Sequence, residues 1–404
     1  MTKKETLTLD DALRLNGPRA FNLMIKPVGS TCNLNCAYCY YLDKADIYGG
    51  REPKMALEDL ERLIKRYIEA CEIPVASFLW HGGEPLLAGL DFFRSAVEFQ
   101  KKYAGGKEIR NTLQTNGTLL TDEWASFFRE NGFLIGISVD GPSTVHNTFR
   151  KTRGGGPSLE KALRGIEILN RNRVEYNILA TINRESEGRG REVYRFLKSL
   201  GTRFIQFSPV VEHIVREQGR RPRIVDPSVA GAELAPWSVS AKGFGEFLCD
   251  VFSEWVNGDI GRVFVNYFDA TLANWCGVMP GICAFARTCG DNSIVEHNGD
   301  VYSCDHFVYP EYRIGNIFED SLPEMMDSPS QVRFGISKRN SLPEKCLRCE
   351  YLRLCNGGCP KHRFNATERG ETGLNALCDG YRKFFSYSSP MMQEMKSRIS
   401  ERSL

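Results

Sequence analysis

The stretch that decides the fold runs Cys32-Asn33-Leu34-Asn35-Cys36-Ala37-Tyr38-Cys39, in which three cysteines follow a C-x3-C-x2-C spacing. Three thiolates leave a structural zinc tetrahedron one ligand short, because such a site takes four nitrogen or sulfur ligands. A three-cysteine cradle suits a four-iron cubane that keeps one iron open for a small molecule. A zinc site completed by His81 is the alternative interpretation of the same residues.

Apolar runs and amphipathic stretches alternate on both sides of this motif. Six runs are rich in β-branched and aromatic residues: Phe21–Val28, Val75–Trp80, Ile109–Gln114, Phe133–Val139, Val174–Ile182 and Phe204–Val210. Between them apolar residues recur at helical spacing, as at Leu57, Leu60 and Ile64. Repeated β–α units predict a parallel sheet, either open or closed into a partial barrel.

Polar motifs follow these runs at the points where strands are expected to end. They are the cysteine motif, His81-Gly82-Gly83-Glu84-Pro85, Gln114-Thr115-Asn116-Gly117, Ser138-Val139-Asp140-Gly141 and Ser208-Pro209-Val210-Val211. The carboxyl ends of parallel strands meet at one edge of a sheet, and the chemistry of such folds lies there. We therefore expect the motifs to share one site.

Composition and charge bound the class of protein. The chain has 404 residues with 25% charged residues and a net charge of +2, which predicts a globular protein of two or three domains. The near-neutral charge predicts no nucleic-acid partner. The apolar runs are too short to cross a membrane, and the N-terminus lacks a signal-peptide pattern, so we expect a cytoplasmic protein without a membrane partner.

Cysteine is the outlier of the composition, with 14 residues. In a reducing compartment, clustered cysteines indicate metal rather than disulfides. A loop-rich C-terminal region carries a C-x9-G-x4-C pattern from Cys289 to Cys304 and a C-x2-C-x5-C-x3-C pattern from Cys346 to Cys359. A pair of zinc ribbons would need two close C-x2-C pairs, and this region has one. Residues 212–240, rich in Arg, Pro, Gly and Ser, are expected to form a long connection.

With Tyr38 before its last cysteine, the N-terminal motif resembles the signature of the radical S-adenosylmethionine (SAM) superfamily. The C-terminal pattern resembles the SPASM domain. These resemblances imply an α/β fold with a partial (β/α)6 radical SAM barrel at 1–235, a helical linker at 236–275, a loop-rich SPASM iron–sulfur domain at 276–380 and a C-terminal helix at 381–404. They also imply three [4Fe-4S] clusters and SAM as cofactors.

The resemblance implies which cysteines are ligands. It gives Cys32, Cys36 and Cys39 to the SAM cluster, Cys283, Cys289, Cys304 and Cys359 to one auxiliary cluster, and Cys346, Cys349, Cys355 and Cys378 to the other. Cys276 competes with Cys283, because a glycine follows it as in many relatives. Only Cys283 has the family's spacing to Cys289, and we therefore choose Cys283.

The resemblance also implies residues that contact SAM. Gly83 and Glu84 match the motif that meets the methionine amino group, Ser138 matches the position that bonds the ribose, and Arg150 matches the grip on the methionine carboxylate. Tyr38 and Val211 match positions that flank the adenine.

Within the SPASM group, the chain resembles the anaerobic sulfatase-maturating enzymes. The motifs that carry this resemblance are Ile25-Lys26-Pro27, Leu113–Leu119, Ser138–Pro142, Tyr176–Leu179 and Tyr302–Asp305. The implied activity is the oxidation of a sulfatase cysteine or serine to Cα-formylglycine, started by a 5′-deoxyadenosyl radical that takes a Cβ hydrogen. The implied partners are an unfolded or nascent sulfatase chain and an electron donor such as flavodoxin or ferredoxin.

Two other activities compete with this one. A SPASM maturase that forms thioether or carbon–carbon crosslinks in peptides usually carries a recognition domain before the first cluster, and only 31 residues precede Cys32 here. A pure electron carrier has no use for an open iron.

Asp305, directly after Cys304, occupies the position of the family's catalytic base. A carboxylate largely removed from water is expected to have a raised pKa, which would strengthen it as a base. Tyr41 and His81 lie where related enzymes line the substrate pocket, and His81 departs from the Gln expected there.

Overall fold

A computed structural model describes residue 8 and residues 22–49, 54–216 and 221–402 of the chain. The six predicted apolar runs form strands β1 (Asn22–Ile25), β2 (Val75–Trp80), β3 (Glu108–Thr115), β4 (Leu134–Ser138), β5 (Tyr176–Ile182) and β6 (Phe204–Pro209). Consecutive strands pair in parallel, in chain order. Phe21, predicted to begin the first strand, lies outside the described residues. The fold class expected from the sequence is confirmed.

Helices connect these strands and cover one face of the sheet. They are α1 (Leu57–Ala70), α2 (Leu90–Tyr103), α3 (Asp122–Glu130), α4 (Ser143–Phe149), α5 (Leu159–Arg171) and α6 (Gly190–Ser199). Each longer helix buries an apolar stripe against the strands, as α6 does with Val193, Tyr194 and Leu197. The crossovers therefore leave all carboxyl ends of the strands on one edge of the sheet.

The same sheet continues into the C-terminal region. Strand β1 pairs in parallel with β11 (Asn292–Val295), which is followed in antiparallel order by β12 (Asp300–Tyr302) and β13 (Arg313–Asn316). At the opposite edge, β10 (Phe264–Val265) pairs with β6. The predicted domain boundary at 275/276 stays a prediction, and backbone hydrogen bonds of one sheet join the two sides of it.

Residues 212–240 contain more regular structure than the predicted long connection. Here β7 (His213–Val215), β8 (Arg223–Val225) and β9 (Glu233–Leu234) form a small antiparallel sheet with β7 in the centre. Two helices follow, α7 (Ala241–Val256) and α8 (Asn266–Cys276). The three strands are two or three residues long, which explains why their sequence carries no clear strand pattern.

The rest of the C-terminal region consists of short elements joined by loops. They are α9 (Leu322–Met326), α10 (Pro329–Asn340), α11 (Glu344–Leu347), α12 (Leu352–Cys355), the hairpin β14 (Asn365–Ala366) and β15 (Thr372–Leu374), and the long helix α13 (Cys378–Arg402). Helix α13 begins three residues before the predicted 381 and packs mainly on α7. Over the described ranges, no helix has the length and apolarity needed to span a membrane.

Candidate active site

The carboxyl ends of the strands open into a cavity of about 700 Å³ between the barrel and the C-terminal region. Its wall takes residues from every polar motif that follows a strand: Cys32, Cys36, Cys39, His81, Gly82, Gly83, Gln114, Ser138, Ser208 and Pro209. The expectation that these motifs share one edge is therefore met by the fold. The C-terminal region closes the other side of the cavity with Cys304, Asp305 and His306.

The loop that holds the three cysteines is docked on the glycines that follow β2. The amide of Gly83 donates to the carbonyl oxygen of Gly29 at 2.8 Å, and the amide of Glu84 donates to that of Thr31 at 2.9 Å. A Cβ atom on residue 83 would lie only 2.1 Å from the Thr31 oxygen. Glycine is therefore required at this close approach of two backbones.

Glu84 does not line the cavity. Its buried carboxylate accepts hydrogen bonds from the amides of Leu86 (3.1 Å) and Asn116 (2.8 Å) and from the hydroxyl of Thr115 (2.8 Å). Burial raises the pKa of Glu84 to about 7, and these donors oppose the rise. The side chain ties the end of β2 to the end of β3. Its predicted contact with SAM stays a prediction.

Arg150 and Tyr38 line the cavity and share one carboxylate, that of Asp140. The Arg150 Nε lies 3.1 Å from both oxygens of Asp140, and the Tyr38 hydroxyl donates to one of them. Burial alone would lower the pKa of Arg150, but the adjoining carboxylate raises it well above its usual value. Close by, the Ser138 hydroxyl accepts a hydrogen bond of 3.0 Å from Gln114.

Val211 and Tyr41, like Glu84, are predicted site residues that are not on the wall of this cavity. Val211 faces a smaller neighbouring cavity of about 340 Å³, and Val210 takes the place on the larger one. Tyr41 is buried with its hydroxyl donating to Glu296, whereas Tyr40 lines the cavity. In both places the preceding residue lines the large cavity, because adjacent residues in these extended or tightly turned segments point to opposite sides. The predicted contacts of Val211 with the adenine and of Tyr41 with the substrate stay predictions.

Asp305 lies on the cavity wall, held by two donors. The Lys26 ammonium is 2.5 Å from Oδ1, and the Tyr40 hydroxyl donates to Oδ2. Lys26 is itself fully buried, lies 3.1 Å from the Nδ1 atom of His81 and stacks 4.2 Å from the centre of the Tyr41 ring. These contacts fix both the position and the orientation of the carboxylate.

The expected rise in the pKa of Asp305 is wrong. Burial is the largest single effect and raises it, but Lys26, His81 and His306 together outweigh burial and hold the pKa below its ordinary value. In the same cluster, burial and Lys26 lower the pKa of His81 to about 3, so this ring is neutral. Its Nδ1 also accepts the amide of Gly82 at 2.7 Å, which leaves the proton on Nε2.

The C-terminal cysteines form two groups. Cys283, Cys289, Cys304 and Cys359 line the large cavity, and Cys276 does not. Burial raises the pKa of Cys289 to about 12, and the charges of Cys359 and Cys283 add to the rise. Cys346, Cys349, Cys355 and Cys378 lie away from the cavity. Burial raises the pKa of Cys378 to about 11, with added effects from Cys346 and Cys349.

The thiols are suited to clusters rather than to single ions. All 14 cysteines are free thiols, so disulfides do not account for them. Within the described ranges, no three His, Cys, Asp or Glu side chains converge closely enough to hold one metal ion. A four-iron cubane binds each thiolate through a different iron, so its ligands stand further apart than those of zinc. The donor sets consist of cysteine thiols, which are the usual ligands of iron–sulfur clusters, and they fit such clusters.

Sequence reasoning missed several residues of the site. Lys26 lies in the motif Ile25-Lys26-Pro27, and a lysine at the end of a buried strand is a signal that a buried anion faces it. Asp140 lies in the motif Ser138-Val139-Asp140-Gly141, which assigns it no role. Tyr40 carries no signal beyond its position next to Cys39.

Comparisons with known proteins agree with this architecture. Residues 27–197 match the model of the radical SAM superfamily, and residues 283–350 match the SPASM iron–sulfur cluster-binding domain. A serine-type anaerobic sulfatase-maturating enzyme of Bacteroides thetaiotaomicron is 48% identical over 380 residues, covering 93% of this chain and 91% of that protein. A cysteine-type enzyme of Clostridium perfringens is 33% identical, covering 94% and 99%.

A solved structure has the same fold along nearly the whole chain. The native enzyme anSMEcpe, with bound AdoMet and the Cp18Cys peptide, superposes with a TM-score of 0.81 at 33% identity and covers 93% of this chain and 99% of its own. Identity and coverage of this extent leave one assignment for the whole chain. It belongs to the anaerobic sulfatase-maturating enzymes of the radical SAM superfamily, with a SPASM domain.

Proposed function

We propose that this chain oxidises a serine or cysteine of a sulfatase polypeptide to Cα-formylglycine, and that Asp305 accepts the proton of the target side chain. One observation carries the proposal: the three-cysteine motif and Asp305 both line a single cavity large enough for a cofactor and a substrate side chain. An initiating group and a proton acceptor are thereby directed at the same space.

Iron–sulfur clusters and SAM are the cofactors of this family, and Cys32, Cys36 and Cys39 are the residues that would hold the SAM cluster. When bound, this pair supplies a 5′-deoxyadenosyl radical that can take a hydrogen atom from carbon. The chain contributes the exposed backbone of Gly82 and Gly83, the Ser138 hydroxyl and the Arg150 guanidinium, all on the cavity wall. Asp140 keeps that guanidinium charged and oriented.

Asp305 receives the hydroxyl or thiol proton at an oxygen that is already fixed. A carboxylate oxygen has two acceptor positions, so Lys26 on Oδ1 and Tyr40 on Oδ2 each leave one position open for substrate. Lys26 keeps the carboxylate ionised, and thus ready to accept a proton, in a buried site. The charge of Lys26 also weakens Asp305 as a base, so proton acceptance relies on placement more than on a raised pKa.

A polypeptide substrate needs room on both sides of the residue that reacts. The smaller cavity shares Glu212, His306, Phe307, Pro360 and Lys361 with the large one, so the two are adjacent. An ion pair between Glu212 and Lys361 lies at the junction. We place one flank of the substrate chain in this smaller cavity, which is how an internal residue of an unfolded or nascent sulfatase would reach Asp305.

Serine is our choice of target residue. The serine-type relative from Bacteroides thetaiotaomicron shares 48% of residues, compared with 33% for the cysteine-type relative from Clostridium perfringens. We further propose that a small electron-transfer protein such as flavodoxin or ferredoxin reduces the SAM cluster.

The test uses the reconstituted, reduced protein with SAM and two peptides that differ only in Ser or Cys within the motif Ser/Cys-x-Pro/Ala-x-Arg. We expect 5′-deoxyadenosine and a peptide that reacts with a hydrazide, with faster conversion of the Ser peptide. A product that has lost two hydrogens but does not react with hydrazide would be a crosslink and would contradict the proposal. Faster conversion of the Cys peptide would contradict the choice of serine alone.

A further inference from the structure

Two basic side chains lie inside the cysteine-bearing loops of the C-terminal region. Lys338, on α10, is fully buried and donates to the carbonyl oxygens of Cys283 (2.5 Å), Ala284 (2.9 Å) and Ala286. These three carbonyls belong to the turn that presents the Cys283 thiol. The ammonium therefore lies directly behind one proposed ligand of the auxiliary cluster that faces the cavity.

The second basic side chain, Arg363, lies between the two cysteine groups. It donates to the carbonyl oxygens of Gly357 (2.9 Å), Asn356 (2.7 Å) and Lys338 (2.5 Å). The loop of residues 356–358 joins Cys355 to Cys359, which belong to different groups. The guanidinium is thus fixed where the chain passes from one auxiliary site to the other, and it is linked to Lys338 by a hydrogen bond.

Neither cation has a carboxylate partner in the described part of the chain. Each is bonded to neutral carbonyl oxygens, and no Asp or Glu lies within ion-pairing distance of either. A buried charge without a counter-charge is strongly unfavourable, so such groups are retained where an anion faces them. The cysteines would supply that anion as thiolates when they hold iron. Cys346 and Cys355 from one group and Cys359 and Cys289 from the other lie close enough to Arg363 to oppose the lowering of its pKa by burial.

We propose that Lys338 and Arg363 are fixed counter-charges of the two auxiliary clusters and that they raise the reduction potentials of both. A four-iron cluster with four thiolates is an anion, and its negative charge grows by one when it takes up an electron. A fixed cation close by stabilises the reduced form more than the oxidised form. Arg363 acts on both clusters, whereas Lys338 acts chiefly on the cluster of Cys283. The inference rests on the proposed function only through the presence of these clusters.

Charge-removing and charge-keeping variants test this directly. Lys338→Met and Arg363→Met remove the charge at similar length, and Lys338→Arg and Arg363→Lys retain it. The exposed Arg353 on α12 is the matched control, as Arg353→Met. Iron content is measured first, and each auxiliary cluster of the reconstituted full chain is then titrated potentiometrically and followed by electron paramagnetic resonance.

We expect Arg363→Met to lower both auxiliary potentials and Lys338→Met to lower mainly one. The expected change is at least tenfold in the reduction equilibrium, which is about 59 mV for a one-electron couple. The charge-keeping variants and Arg353→Met should stay near wild type. Unchanged potentials in fully loaded Met variants would overturn the proposal.

A variant that loses its cluster still gives a decisive result. If Lys338→Met fails to load while Lys338→Arg loads normally, charge is what the site requires, as proposed. If both variants fail to take up iron, the site requires the hydrogen bonds that lysine makes to the three carbonyl oxygens rather than its charge, and the counter-charge role is overturned. None of these readouts involves a sulfatase peptide, so a failure of the proposed function would be seen separately.

Discussion

Helices of the barrel and of the cysteine-rich C-terminal region bury different kinds of side chain, as one helix from each region illustrates. Helix α1 of the barrel buries Leu60, Leu63, Ile64, Tyr67, Ile68 and Ala70. Helix α10 of the C-terminal region, nearly as long, buries Gln331, Gly335 and Lys338. The first helix is stabilised by removing apolar surface from water. The second helix instead buries polar side chains that donate hydrogen bonds to the backbone carbonyls of neighbouring loops.

The contrast indicates what each region needs in order to hold its site. In the barrel, the apolar core fixes the strand ends, so the residues proposed to bind SAM are positioned before any cofactor arrives. The C-terminal region adds Phe285, Leu354 and Tyr381 to the same apolar core. Its cysteine-bearing loops, by contrast, contain buried cations and clustered thiols, and regions of that kind depend on their metal for folding. Four sets of substitutions test this difference between the two regions.

Replacing Cys32, Cys36 and Cys39 together by Ala should abolish SAM cleavage and leave the barrel folded. The cysteines lie on a loop whose place is set by the strand end and by the glycines after β2. Chromatography of 5′-deoxyadenosine measures the loss, and circular dichroism with thermal unfolding measures the fold. A variant that still cleaves SAM, or a barrel that unfolds, would contradict the comparison.

Asp305→Asn should lower formylglycine formation by roughly 100-fold or more, the usual scale for a positioned base, and leave SAM cleavage active. Asn keeps the shape of the side chain but cannot accept the proton. Deoxyadenosine should then accumulate without matching aldehyde. Iron analysis of the same preparation is the control, because Asp305 adjoins Cys304. Normal aldehyde yield with full iron would return Asp305 to a structural role.

Cys283→Ala should remove one auxiliary cluster, and Cys276→Ala should remove none. We expect about twelve irons per chain in the wild type and about eight in Cys283→Ala. Cys283 lines the cavity with three other cysteines of the C-terminal region, and Cys276 ends α8 and is not on its wall. Limited proteolysis should cut the C-terminal region of Cys283→Ala more readily while its barrel resists. The reverse pattern of iron loss would exchange the two assignments.

Gly83→Ala should destabilise the docked cysteine loop by about 1–3 kcal/mol, the usual cost of overpacking. Its Cβ would lie 2.1 Å from the Thr31 oxygen, which is backbone and cannot swing aside. Gly154→Ala is the matched control, since nothing lies within 4 Å of a Cβ there. We expect weaker SAM binding for Gly83→Ala and wild-type behaviour for the control. Equal behaviour of the two variants would remove the steric argument.

The sequence predicts the barrel well because its strands and helices have clear periodicity and because parallel topology brings the strand ends together. It also predicts which polar motifs meet, since each follows a strand. The ion pair of Lys26 with Asp305 could not be derived this way, because the two residues are 279 positions apart. Tyr40 and Val210 line the cavity, whereas their neighbours Tyr41 and Val211 do not. Which of two adjacent residues does so depends on local side-chain direction, which spacing in the sequence does not define.

Transfer of a hydrogen atom from the target serine to the 5′-deoxyadenosyl group can be measured with deuterium. A serine peptide with deuterium at Cβ is incubated with the reduced, fully loaded protein and SAM, and the masses of both products are determined by mass spectrometry. We expect deuterium in the 5′-deoxyadenosine and an aldehyde at the target serine of the peptide, because the radical source and Asp305 line the same cavity and would act on the same side chain. Deoxyadenosine without deuterium, formed alongside unmodified peptide, would contradict the claim that this cavity converts a sulfatase residue.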